Sequence, residues 1–207
     1  MSRPAIPDLA WWCEDPGRWE LLEFDGQHDD AGLPIDIRWE DRQQVLEALI
    51  LTPKPGIGDF ARYLLAQETE RHRHSWGFSH SIELAALMVA EQHRVEDVWP
   101  LWNAICRSFD TWCGLPHRLL LAAGVAHTFE YVSASKHPQR DNLLEHLRQM
   151  DESNDEEVAQ LLTERRRHYS QILDELAHHR LPARPRRPPA VAHRCVLTEA
   201  TPSPDVT

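Results

Sequence analysis

Lysine is nearly absent from this chain of 207 residues: Lys54 and Lys136 are the only two among 22 basic side chains. With abundant Ala, Leu and Pro, that bias points to a GC-rich bacterial genome. Glycine is scarce as well, with eight residues, which argues against a loop-rich or all-β fold. The four cysteines, Cys13, Cys106, Cys113 and Cys195, form no C-x-x-C pair. Cys106 and Cys113 would lie about 10 Å apart along one helix face, too far for a disulfide. Cys106, on the apolar side of that helix, reads as a small buried hydrophobe. Reduced thiols are expected, and with them a cytoplasmic protein. No apolar run approaches the roughly 20 residues of a membrane span. The segment Met1 to Leu22 carries Asp8, Glu14 and Asp15 without an apolar stretch, so it does not read as a signal peptide.

Catalytic signatures are missing too. There is no G-x-S-x-G, no glycine-rich phosphate loop and no H-E-x-x-H. Gly77-Phe78-Ser79-His80-Ser81 lacks the second glycine and the preceding strand of a nucleophile turn.

What is present is helical periodicity. Val98, Trp102, Ile105, Phe109 and Trp112 step by four, three, four and three residues, placing five large apolar side chains on one helix face. Seven helices are predicted: 39–51, 58–74, 79–93, 95–113, 116–133, 138–150 and 154–178. The third is apolar nearly all round and should be the most buried. Within the fourth, Trp102, Ile105 and Phe109 are expected in the core, and Asp97 at an exposed start. Asn154-x-x-Glu157 resembles a capping box and marks the last helix. Short breaks make neighbours antiparallel hairpins, so the fold is all-α. Starts near 39, 79 and 116 leave two architectures open, an α-solenoid-like (TPR/HEAT-like) stack or a compact bundle. Residues 1–36 read as an irregular segment docked on a helical domain of residues 37–180. Residues 181–207, with six prolines and few apolar side chains, read as a disordered Pro/Arg-rich tail.

The net charge is −11: the first 160 residues carry −14 and the remainder +3. An acidic body repels nucleic acid and suits a basic protein partner. The expected function is therefore a non-catalytic helical protein-binding module in a bacterial cytoplasm: a scaffold, regulator or immunity/antitoxin-like protein. No cofactor and no membrane partner are expected, and the oligomeric state is open. Trp99, one position off the apolar stripe, and Arg165, Arg166 and Arg167 are the candidate partner contacts. The competing reading is a metal-dependent helical-bundle enzyme using Glu68, His72 and His74 of one helix with Glu175 and His178 of another. It has only one Glu-x-x-His motif where a di-iron bundle needs two. A third reading assigns nucleic-acid contact to the Arg-rich C-terminal region.

Overall fold

The computed structural model describes residues 9–30, 34–150 and 153–179. The predicted tail of residues 181–207, Cys195 included, lies outside the described residues. The described residues form nine α-helices: α1 (Leu9–Glu14), α2 (Trp39–Leu51), α3 (Gly58–His74), α4 (His80–Ala90), α5 (Val98–Ile105), α6 (Phe109–Gly114), α7 (Val125–Ala134), α8 (Arg140–Arg148) and α9 (Asp155–His179). Short 3₁₀ helices cover Pro16–Leu22, Val95–Asp97 and His117–Leu121. Two antiparallel two-residue strands, β1 (Gln27–His28) and β2 (Pro34–Ile35), complete the fold.

The axis of the molecule is α4. Every residue from Ser81 to Ala90 is buried, as an all-round apolar helix requires. Around it pack α2, α3, α5, α9 and the His117–Leu121 turn. The first long helix also meets the last, because Arg166 of α9 donates to the Ile50 carbonyl of α2 at 2.8 Å. A solenoid keeps its first and last repeats apart; here they touch, so the all-α fold is a compact bundle.

Two predicted helices do not form as single rods. The expected helix 95–113 breaks after Ile105, because Ser108 caps a new one. The Ser108 hydroxyl accepts from Thr111 N–H at 3.1 Å, and Thr111 Oγ1 accepts from Ser108 N–H at 2.9 Å. This reciprocal box holds the backbone in a cap conformation, and buried Thr111 anchors it by donating to the Ile105 carbonyl. Trp102 and Ile105 are in the core, as expected. Phe109, beyond the break, points to solvent and is 80% exposed. Cys106, at the break, is exposed rather than buried. The expected helix 116–133 is a 3₁₀ turn followed by α7, with Gly124 between them at φ +105°, a conformation that L side chains rarely adopt. The third expected helix stops at Ala90 rather than continuing to 93, where His93 adopts φ +51°. By contrast, Asn154 Oδ1 does accept from Glu157 N–H at 2.9 Å, and α9 starts where the capping box indicated.

The described residues 9–22 supply apolar anchors. Trp12 and Leu22 are buried, and Trp19 stacks on Phe60 of α3 with ring centroids 5.1 Å apart. Asp97 is buried rather than exposed, and Arg62 of α3 bonds its carboxylate. Burial raises the Asp97 carboxyl pKa despite that arginine.

Candidate functional site

Two polar clusters flank the start of α4, one centred on a fully buried ion pair and one at the end of a groove. The closed one centres on Arg42 of α2, which is 0% exposed. Its Nε donates to Glu68 Oε1 at 2.7 Å, its Nη1 to the Leu22 carbonyl at 3.2 Å, and its Nη2 to Asp36. Glu68, equally buried, also accepts from Arg71 at 3.3 Å and from the Ser81 hydroxyl. Burial alone would lower the Arg42 pKa, but Glu68 and Asp36 outweigh it and raise it. One turn on, His72 Nδ1–H donates to the Glu68 carbonyl at 2.7 Å, and its Nε2 accepts from Ser79 N–H at 3.1 Å. Burial holds this imidazole neutral by lowering its pKa. Both ring nitrogens are therefore used in fixing the turn between α3 and α4.

The open cluster forms the polar end of a groove between α2, α4 and α9. Glu83 of α4 is 3% exposed. The Tyr169 hydroxyl donates to its Oε2, and Arg165 Nη1 lies 3.1 Å from its Oε1. Burial and the Glu83 carboxylate push the Tyr169 hydroxyl pKa far up, so the phenol stays protonated. His80 Nδ1 lies 3.2 Å from that hydroxyl. Because the Tyr169 proton is committed to Glu83, His80 Nδ1–H is the donor, which leaves Nε2 facing out.

From this polar end the groove runs along α9 as a cavity of about 470 Å³. Its walls include Phe78, Leu84, Ile172, Leu173 and Leu176, with Gln43 and Glu47 on the α2 rim. Phe78 is held there by close packing on α6, since a Cβ at Gly114 would meet its ring at 2.4 Å. The early apolar residues of α9, Val158 and Leu162, are 3% and 5% exposed, whereas Ile172 and Leu176 are 38% and 50% exposed. One amphipathic stripe thus begins packed and ends open.

The structure does not bring the metal candidates together. Glu68 is enclosed by arginines and His72 is spent on backbone groups. His74 stacks on Phe24 at 5.7 Å. Glu175 and His178 sit exposed near the end of α9, which packs on α2, α4 and the His117–Leu121 turn. Among the described residues no group of three or more His, Cys, Asp or Glu could hold a metal ion. Ser79 caps α4 instead of heading a nucleophile turn.

Of the partner-contact candidates, Arg165 is paired with Glu83 and Arg166 grips both oxygens of Glu91, so two of the three arginines bind α9 to α4. Arg167 is exposed. Trp99 is half-buried and stacks on His137 at 3.9 Å. Among the described residues the most exposed tryptophan is Trp76, at 96%, beside α6 through the bond from Gly77 N–H to Asp110 at 2.9 Å. An apolar side chain in the loop between two helices is the one signal that marks it. Glu83, His80 and Tyr169 give none, because 86 residues separate the bonded pair Glu83 and Tyr169.

No protein-family model matches the chain, nor does any curated protein or solved structure. Among the described residues no helix is long and apolar enough to cross a membrane.

Proposed function

We propose that the chain is a non-catalytic helical module that binds a polypeptide in the groove between α2, α4 and α9. Scaffold, regulatory and immunity- or antitoxin-like roles all fall within this reading, as does a site of action in a bacterial cytoplasm. The observation that carries it is the exposure of Ile172 and Leu176 at the mouth of an apolar cavity of about 470 Å³. Apolar anchors at helical spacing beside such a groove suit a helix-in-groove mode of recognition. The ionisable groups at the groove's end support binding over catalysis: Glu83 is buried behind Tyr169 and does not line the groove, which keeps it from proton transfer toward a ligand. The apolar walls provide affinity, and the outward Nε2 of His80 with the Glu47 carboxylate provides orientation.

Site-specific photo-crosslinking tests this. A benzophenone amino acid replacing Leu176 in the full-length protein, irradiated in cells, is expected to join a defined polypeptide segment. The adduct should disappear when Leu84→Glu places a charge in the groove wall. If irradiation yields no polypeptide adduct, the reading is wrong.

A further inference from the structure

We infer that the groove's occupant is a second copy of this chain, the two α9 helices crossing antiparallel about a two-fold axis near Ile172. This rests on the reading that the groove binds a polypeptide, and it names that polypeptide. The first support is self-complementarity. A two-fold interface uses the same patch on both partners, so one surface must supply both the inserted side chains and the hole that takes them. This patch does: Ile172 and Leu176 protrude at 38% and 50% exposure, beside a groove walled by Phe78, Leu84 and Leu173.

The second support is the order of charge along the open face. Arg165, His168, Ile172, Glu175 and Leu176 share one side of α9 by helical spacing. His168 precedes Ile172 and Glu175 follows it. Among the described residues His168 and Glu175 make no ion pair within the chain. An antiparallel crossing near Ile172 sets Glu175 of one copy beside His168 of the other, twice over. A parallel crossing would set like against like, which is repulsive. Arg165 is already spent on Glu83 at 3.1 Å, so His168 and Glu175 alone set this order. Closure by a second copy would also cover the stretch of α9 that its own body leaves bare.

Sedimentation equilibrium on the full-length protein at about 100 µM tests the inference. The expected mass is twice that of the 24.0 kDa chain. Ile172→Glu should give a monomer with unchanged far-UV circular dichroism. Glu175→Arg should weaken the dimer at least tenfold, and His168→Glu combined with Glu175→Arg should restore it. A monomeric wild-type protein overturns the inference, and so does a dimer that Ile172→Glu leaves intact. The photo-crosslink at Leu176 separates the two readings. An adduct of the chain with itself supports both, an adduct with a different polypeptide overturns only self-association, and no polypeptide adduct overturns both.

Discussion

Glu68 and Glu83 are both buried carboxylates beside α4, yet they anchor regions of opposite character. Glu68 is enclosed by side chains from α2, α3 and α4: Arg42, Arg71 and Ser81 all bond it. Glu83 is held across the helix interface by Tyr169 and Arg165 of α9, and the same helix then leaves Ile172 and Leu176 in solvent. Where several elements converge, polar groups satisfy one another and the region closes. Where a single helix makes the contacts, it outruns its support and leaves a face open. The first arrangement specifies how α2, α3 and the N-terminal segment dock, and the second is where a partner can enter.

The largest expected effect separates the two. Arg42→Met removes the buried counter-charge from Glu68 and Asp36, leaving only Arg71 beside both, and should cost about 3–5 kcal/mol, because two buried carboxylates then share one arginine. Chemical denaturation measures it; a loss below about 1 kcal/mol would mean that water reaches the cluster and that the contrast with the groove is false. Tyr169→Phe, at the open cluster, removes one donor from Glu83 and should cost about 1–3 kcal/mol. A cost equal to that of Arg42→Met would erase the distinction between a closed cluster and one at a groove's end.

A smaller effect concerns pH. His72 of the closed region and His146, boxed by Trp102, Trp112 and His117, both have pKa values lowered, in each case chiefly by burial. In the unfolded chain these groups bind protons near pH 6.5; in the folded protein they resist. Stability is therefore unaffected by them well above pH 6.5 and falls as the pH drops below it. Urea midpoints between pH 8 and 5 should show this slope, and His146→Gln should flatten it; an unchanged slope would mean that His146 takes up its proton without disturbing the fold. The smallest effect is expected at Phe109. Although it continues the apolar spacing of α5, its exposure means that Phe109→Ala should change stability by no more than about 0.5 kcal/mol. A loss of several kcal/mol would place it in the core that the periodicity suggests.

Much of the bundle is legible in the order of residues alone. The 13 residues of α2 and 17 of α3 fall where apolar spacing, prolines and glycine place them. The start of α9 follows from one asparagine and one glutamate at capping distance. Trp102 and Ile105 can be assigned to the core because a stripe so apolar has nowhere else to go. The break at Ser108 is hidden, since Ser-x-x-Thr is a weak box and the hydrophobic period runs straight through it. Asp97 misleads for a different reason. At a helix start a carboxylate is ordinarily solvated, and only the approach of Arg62 from α3 makes burial tolerable there. The candidate site is the least visible part. Arginines that read as a free basic patch are spent on Glu83 and Glu91, and the groove is assembled from side chains between Gln43 and Leu176 in the sequence.

By itself the sequence determined that this protein is all-α, where most of its helices lie, and that α4 is the most buried. Those are consequences of local periodicity, caps and breakers, which act over a few residues. The tertiary structure alone decided that the bundle closes α2 onto α9, that Glu68 is sealed while Glu83 sits behind Tyr169 at the end of a groove, and that Ile172 and Leu176 stay bare. Such outcomes depend on which helices meet and how far each extends past its neighbours. Pairings between residues as distant as Glu83 and Tyr169 leave no period in the chain from which they could be read.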